Sequence, residues 1–345
     1  METLPKITVV IPIRNEAGFI TQTIRYLQEQ DYPPDRMEII VVDGYSTDGS
    51  SEMVQKIAAA DPRVQWHGNR VQRSSAGRNT GAKVGTGDII TYVDGHTYID
   101  NNQLLRNIAR LLEEKDVSVL SRPQFLETPD NTPFQKAVAL ARRSPIGHGL
   151  DSTIYTDEEK YVNPASSGAT YKREVFEKVG YFDERYDASE DYEFNYRVAK
   201  AGYRAFTSLK LAVYYYPRKT LGALFRQMSR YGTGRFRLFR KHPETLGAGT
   251  LAPVAFILGL VVLPLLSLWS DWFGWAFVGL YGLYLLAILL SSLVIAARHG
   301  LVYLFLCPPI FLFIHLGLGY GFIAEGIRAL IGKAPRFKWG EGRSI

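Results

Sequence analysis

Over the first 250 positions apolar residues come in short runs divided by polar loops, and beyond position 250 they become nearly continuous. Residues 6–11 (KITVVI) form a β-branched run that stops at Pro12, and residues 38–42 (EIIVV) form a second that stops at Asp43. Short β-branched runs bounded by turn residues read as strands. Between them, residues 17–30 place Phe19, Ile20, Ile24 and Leu27 on one stripe at helical spacing. Residues 51–60 predict a second helix, and residues 88–93 (DIITYV) a third buried strand. Strands alternating with helices, and apolar on both faces, predict an α/β domain with a parallel sheet covered on both sides. Ligands of such sheets sit beyond the carboxyl ends of the strands. Those ends carry Arg14-Asn15-Glu16, Asp43-Gly44-Tyr45-Ser46-Thr47-Asp48 and Asp94-Gly95-His96, three clusters of carboxylate or amide side chains.

The near-continuous region divides into residues 251–269, 274–297 and 301–323, each of about 20 residues or more and long enough to cross a bilayer as a helix. None shows a periodic polar face, which weighs against buried soluble helices. Trp269, Trp272 and Trp275 gather at the first break, where amphipathic rings favour the headgroup layer. Arg235, Arg237, Arg240 and Lys241 place the start of the first stretch inside, the loop 270–273 has no basic residue and suits the outside, and Arg298 and His299 return the chain inside. A third full crossing would export Arg328, Lys333, Arg336, Lys338 and Arg343, against the positive-inside tendency. Pro308-Pro309 interrupts the third stretch, so a re-entrant or broken helix stands as the alternative.

Composition sharpens this division. All but six of the 40 basic and all but three of the 34 acidic residues precede position 251, so a mean hydropathy of −0.07 averages a polar body with an apolar quarter. The expected organisation is a body over residues 1–220, a basic amphipathic region over 221–245, a membrane region over 246–327 and a basic tail over 328–345. Residues 1–6 lead straight into a strand, with no signal peptide expected, and the body stays on the side where it is made. The single cysteine, Cys307, excludes an internal disulfide and a thiol–zinc cluster. There is no P-loop and no G-x-G-x-x-G after the first strand, and the Gly44–Asp48 turn has Asp where a nucleophile elbow needs its last glycine. The small positive excess of the body does not point to nucleic acid.

The order of these motifs resembles the family 2 glycosyltransferases of the GT-A fold, over about residues 6–240. The resemblance implies a Rossmann-like, mostly parallel sheet. Pro12-Ile13-Arg14-Asn15-Glu16 is similar to the opening of that family, and the stretch from Val41 to Ser50 to its second-strand segment, which implies that Asp43, Ser46 and Asp48 hold the base and ribose. Ala76-Gly77-Arg78-Asn79-Thr80-Gly81-Ala82 resembles the stretch that lines the nucleotide and its phosphates; a surface cation is the alternative for Arg78, and the small residues around it, which let backbone approach a ligand closely, favour the functional reading. Asp94-Gly95-His96 stands where the family has its D-x-D metal motif. The resemblance implies that Asp94 and His96 hold a divalent cation, Mn²⁺ or Mg²⁺, on the sugar-nucleotide diphosphate; imidazole suits Mn²⁺ better. The D-x-H form resembles the branch that includes succinoglycan-type exopolysaccharide transferases.

Ser189-Glu190-Asp191-Tyr192-Glu193-Phe194 resembles the acceptor-side segment of the family. That implies Asp191 as catalytic base for direct, inverting displacement, with Glu190 binding or supporting the acceptor. The alternative is a solvated helix N-terminus favoured by the dipole. Residues 221–242 place Leu221, Leu224, Phe225 and Met228 at helical spacing beside six basic residues with no acidic one, which reads as a helix in the headgroup plane or as an ordinary packing helix. Gln227-Met228-Ser229-Arg230-Tyr231 resembles the Q-x-x-R-W element of polysaccharide synthases, which implies that Gln227, Arg230 and Tyr231 lie near the acceptor and the leaving diphosphate. Tyr231 replaces Trp and no apolar stretch precedes the body, both of which weigh against processive extrusion.

The expected function is an inverting hexosyltransferase of a bacterial-type inner membrane with its catalytic body in the cytoplasm. It would move a hexose, most plausibly from UDP-glucose, to a polyprenyl-diphosphate-linked saccharide in exopolysaccharide assembly. A processive synthase and a non-catalytic membrane scaffold are the alternatives. Membrane lipids are expected partners, nucleic acid is not, and homo-oligomerisation stays open.

Overall fold

The structure is a computed structural model that describes residues 4–147 and 154–337. Of the expected basic tail, Lys338 and Arg343 lie outside the described residues. Two compact units emerge, one of Met1–Thr128 with Thr153–Tyr216 and one of Pro129–Ser152 with Pro217–Ile345.

The first unit is built on β1 (Ile7–Ile13), β2 (Met37–Asp43), β3 (Val64–Gly68) and β4 (Ile89–Tyr92), with α1 (Ile20–Gln28), α2 (Ser50–Ala60) and α3 (Ser74–Val84) between them. After the two-residue β5 (Thr97–Tyr98) come α4 (Leu104–Glu114), β6 (Val119–Ser121) and β7 (Gln124–Phe125). Beyond the excursion into the second unit follow β8 (Lys160–Val162), β9 (Gly168–Lys172), α6 (Arg173–Val179), α7 (Glu190–Lys200), β10 (Ala205–Thr207) and β11 (Val213–Tyr215). α5 (Pro133–Arg143) belongs to that excursion. The large sheet has the order β3-β2-β1-β4-β9-β6-β10-β8, and β5-β11-β7 forms a small one.

β1 pairs in parallel with both β2 and β4, with Ile13 opposite Asp43. The strand runs through Pro12, two residues past its expected end, because its pairing with β4 stops at Val10 and Tyr92 and asks no hydrogen-bond donation of Pro12 on that side. Antiparallel β9 sits between β4 and β6, so the sheet is mixed rather than wholly parallel. Successive β1 side chains point to opposite faces. Val9 and Ile11 join Ile24, Leu27 and Ile108 on one face, and Val10 joins Ile40, Ala82, Tyr171 and Phe194 on the other. Both faces are therefore dry, which is why β1 and β2 read as unbroken apolar runs.

The second unit holds α5, α8 (Leu221–Lys241), α9 (Ala248–Ser267), α10 (Asp271–His299) and α11 (Val302–Leu330). The last three are long and apolar enough to cross a membrane. α11 is unbroken through Pro308 and Pro309, so the proline pair does not split the third apolar stretch. Trp269, Trp272 and Trp275 are exposed at the turn between α9 and α10. Leu224 and Met228 of α8 are buried with Ala137, Val138 and Ala141 of α5 and with Ile310, Phe311 and Ile314 of α11. The apolar stripe on α8 thus packs against protein.

Candidate active site

At the carboxyl end of β1 the chain turns through Asn15, at φ +60°, and at the end of β2 through Tyr45, at φ +57°. Left-handed backbone at non-glycine residues carries strain and persists where the surroundings hold it. Here the two loops hold each other. The Asn15 amide donates to Ser46 Oγ at 2.8 Å, and Asn15 Oδ1 accepts from the Thr47 amide at 2.8 Å. Asp43, 2% exposed, accepts from Ser46 Oγ at 2.6 Å. Asp48 accepts from the Ala17 amide and from Ser50 Oγ. Burial works against its charge, but these hydrogen bonds from Ser50 and the backbone together hold its carboxyl below the usual range. The pairing β1–β2 therefore continues past the strands as a hydrogen-bonded platform of Asn15, Asp43, Ser46 and Asp48. Pro12 lies beneath α3, close to Gly77, and Arg14 is exposed on the turn.

β4 delivers Asp94-Gly95-His96 beside that platform. His96 Nδ1 lies 2.9 Å from Glu16 Oε1. An ionised carboxylate only accepts, so Nδ1 carries the proton and donates. Glycine is required at position 95 because a Cβ there would come within 2.8 Å of Ile13 Cγ2 and 3.1 Å of Glu16 Cγ. The motif is thus clamped by the residues that end β1.

Arg78, on α3, joins the two halves of the site. Its Nη2 lies 3.3 Å from Asp94 Oδ1 and its Nε 3.5 Å from Glu190 Oε1. The guanidinium also sits 5.1 Å from the centre of the Tyr92 ring and 5.8 Å from that of Phe182. Burial disfavours the cation, but Asp94, Glu190 and Asp191 outweigh it and raise its pKa above the ordinary arginine value. Arg78 is therefore no surface cation.

Glu190 begins α7 after Ser189, which is at φ +61°. At 7% exposure its carboxyl is pushed up by burial, opposed by Arg78 and reinforced by Asp191. Glu193 is fully buried, with Oε1 2.9 Å from Arg197 Nε. The solvated-terminus alternative thus describes Asp191 alone, which is exposed and accepts from the Tyr192 amide at 2.8 Å.

Sequence reasoning passed over Arg122. It follows β6, is 2% exposed and donates to the Tyr92 carbonyl at 2.7 Å and to Thr91 and Thr170 hydroxyls. Burial lowers its pKa, with Tyr215 and Asp94 acting in the opposite sense. β6 is only three residues long, so its strand-end residue gave no signal. Gln227, Arg230 and Tyr231 lie on α8 in the second unit, where Gln227 Nε2 is 3.3 Å from Tyr231 Oη and the Arg142 guanidinium 6.0 Å from the Tyr231 ring.

Among the described residues no group of three or more His, Cys, Asp or Glu side chains is placed to enclose a metal. What β4 offers is one carboxylate, Asp94, and one imidazole whose Nδ1–H is held by a carboxylate. That hydrogen bond is the usual orienting partner of a metal-binding histidine. The donor set fits a cation that takes its remaining oxygens from a bound diphosphate and water.

The profile of glycosyl transferase family 2 matches residues 8–180, which spans the platform, Arg78 and the Asp94-Gly95-His96 motif. The succinoglycan biosynthesis protein ExoA of Rhizobium meliloti (strain 1021) is 34% identical over 250 residues, 72% of this chain and 74% of that protein. A dolichyl N-acetyl-alpha-D-glucosaminyl phosphate 3-beta-D-2,3-diacetamido-2,3-dideoxy-beta-D-glucuronosyltransferase of Methanococcus voltae is 24% identical over 68% of this chain and 74% of its own. Among solved structures, the mannosyltransferase PcManGT from Pyrobaculum calidifontis, in complex with GDP-Man and Mn²⁺, superimposes with a TM-score of 0.56 at 22% identity, covering 96% of this chain and 89% of that one. That likeness concerns the fold, and it agrees with the GT-A arrangement of a mixed sheet whose strand ends carry the site. With a profile match over half its length and a 34% identical relative over 72% of it, the chain belongs to glycosyl transferase family 2.

Proposed function

We propose that this protein is an inverting, metal-dependent hexosyltransferase that moves a sugar, most plausibly glucose from UDP-glucose, to a polyprenyl-diphosphate-linked saccharide at the cytoplasmic face of a bacterial-type membrane. The observation that carries the reading is the position of Arg78 between Asp94 and Glu190. One cation links the motif assigned to the donor with the helix terminus assigned to the acceptor. The relationship to ExoA supports exopolysaccharide assembly as the setting.

In this reading Asp43, Ser46 and Asp48 receive the nucleoside, with Pro12, Arg14, Asn15 and Glu16 shaping the floor beneath it. Asp94 and His96 hold the divalent cation, which when bound offsets the charge that grows on the departing diphosphate. Asp191 takes the proton of the attacking hydroxyl; an exposed carboxylate at the start of α7 is accessible to an incoming acceptor. Glu190, buried and paired with Arg78, orients rather than abstracts. Gln227, Arg230 and Tyr231 contribute to the acceptor.

The test is nucleotide release by the purified full-length protein with UDP-, GDP- and dTDP-sugars, with Mn²⁺ or Mg²⁺ and a polyprenyl-diphosphate saccharide. Acceptor-dependent release with one sugar nucleotide, abolished in Asp94→Asn, is expected. Failure of every donor to give release above the Asp94→Asn background would refute the reading.

A further inference from the structure

α8 and α11 run side by side in the same direction. Along α8, Phe225, Ser229, Phe236 and Arg237 meet in turn Phe313, Gly321, Gly326 and Glu325. The approach is tight: a Cβ on Gly321 would reach within 1.9 Å of the Ser229 carbonyl oxygen, and one on Gly232 within 2.0 Å of that of Leu318. Arg237 Nε lies 2.7 Å from Oε1 of Glu325, which is fully buried, and Arg240 Nη2 donates to the Phe337 carbonyl at 3.2 Å. The carboxyl end of α11 therefore lies beside the carboxyl end of α8.

Chain connectivity turns this into a statement about the membrane. Residues 242–247 alone separate α8 from α9, and Gly319 of α11 packs on Pro253, so α9 starts against the carboxyl-terminal half of α11. Gly300 and Leu301 alone separate α10 from α11, so α11 starts where α10 ends. α9 and α10 form a hairpin closed at residues 268–270, in which Tyr281 Oη donates to the Phe256 carbonyl at 2.6 Å. If each arm of that hairpin crosses once, the start of α9 and the end of α10 lie on one face. Both ends of α11 then lie on that face too.

We propose that α11, although long and apolar enough to span, does not cross the bilayer but lies with α8 among the lipids of a single leaflet, and that the chain crosses twice. The inference rests on the membrane reading of α9 and α10. Two further observations support it. α8 carries six basic residues and no acidic one; Arg226 and Arg230 are exposed and Arg235 and Arg240 half-buried, while Arg237 and Lys241 are buried, so a helix locked alongside it shares its place at the headgroups. Arg328, Lys333 and Arg336 then stay with those cations, which removes the conflict with the positive-inside tendency. The partner surface is the acyl and headgroup region of one leaflet, met by Phe305, Tyr320, Ile327 and Leu330, which are 76%, 54%, 54% and 88% exposed, beside the exposed Arg226 and Arg230 of α8.

Single cysteines at Ser270, His299 and Lys333, all exposed, test this in a Cys307→Ala background with a membrane-impermeant maleimide on right-side-out and inverted vesicles. The expected result is that His299→Cys and Lys333→Cys label from one side and Ser270→Cys only from the other. Labelling of Lys333→Cys from the side of Ser270→Cys would show that α11 crosses. Labelling of His299→Cys and Ser270→Cys from the same side would overturn the hairpin reading and the proposal with it. Should Cys307→Ala misfold, alkaline phosphatase and green fluorescent protein fused after Ile345 of the unaltered chain give the same answer. Fluorescence without phosphatase activity is expected, and the reverse would refute the two-crossing topology.

Discussion

Nε of Arg78 lies 3.5 Å from Oε1 of Glu190, while Nη2 of the same guanidinium lies 3.3 Å from Asp94. A planar fork serves two carboxylates that come from different strand and helix ends, and a lysine ammonium cannot reproduce that geometry. Arg78→Ala should lower the transfer rate by about 10²–10³-fold, and Arg78→Lys should recover only part of it. Steady-state kinetics on the two variants, with folding checked by circular dichroism, decides the matter. Near-normal turnover in Arg78→Lys would mean that charge alone is needed there.

Asp191 and Glu190 are neighbours in sequence with opposite environments. Asp191→Asn keeps shape but removes the carboxylate proposed as proton acceptor, so the transfer rate should fall by roughly 10²–10⁴-fold while nucleotide affinity stays close to normal. Isothermal titration with UDP alongside the transfer assay separates the two effects. Transfer at the wild-type rate by Asp191→Asn would remove it from the mechanism.

Glu190 gives a prediction about stability with a definite sign. Its carboxyl is raised above 4.5 in the folded protein, mainly by burial, so its ionised form disfavours folding. The penalty is complete above the folded pKa, and it fades as pH falls through that value toward 4.5. Glu190→Gln should therefore melt at or above the wild-type temperature at pH 8, with the gap closing below pH 4.5. A lower melting temperature at pH 8 would show that the lost contact with Arg78 outweighs the relief.

Asp61 has the opposite sign. The hydrogen bond from Arg63 leads the causes that take it from 3.8 to about 2, with burial opposing. Its contribution is present above 3.8 and disappears as pH falls through about 2. Asp61→Asn should lower the melting temperature at pH 7 and leave it unchanged near pH 2. An equal loss at both pH values would point to packing instead of charge.

Glu16 should tune the cation through His96. If His96 holds the cation as proposed, loss of the carboxylate that orients it should cost about 10–100-fold in metal affinity. Glu16→Gln should raise the Mn²⁺ concentration for half-maximal activity by that factor, and His96→Asp should shift the preference toward Mg²⁺. Mn²⁺ binding by electron paramagnetic resonance gives a readout independent of turnover. Unchanged Mn²⁺ affinity in Glu16→Gln would separate the Glu16–His96 pair from metal binding.

β1, β2 and β4 were legible in the sequence because burial on both faces leaves a run of Val, Ile and Thr bounded by polar ends. β3 was not, since most of Val64–Gly68 is half-buried or exposed and reads as Gln, Trp and His. β6, β8 and β10 have three residues each, too few for any period to register. Asp43, Asp94 and His96 could be singled out because they follow legible strands, and the buried Arg122 could not because it follows one too short to read. The burial of Glu190 was hidden because a run of acidic residues at a helix start looks the same whether water or Arg78 faces it. α5 gave no sign of its packing partners, because Ala137, Val138 and Ala141 define an apolar face without saying what covers it.

That covering has a consequence for biosynthesis. The apolar face of α5 is covered first by Leu224 and Met228 of α8 and completed only when Ile310, Phe311 and Ile314 of α11 arrive. These follow it by about 170 residues, on the order of 10–30 s at roughly 5–20 residues per second of translation. During that interval Ala137, Val138 and Ala141 have no native partner in α11, although the stretch to residue 128 has already been made. The nascent chain therefore carries in its middle an amphipathic helix that has at most its α8 neighbours, Leu224 and Met228, until the last apolar segment follows. Residues 129–147 are where a chaperone or the insertion machinery would be expected to engage it.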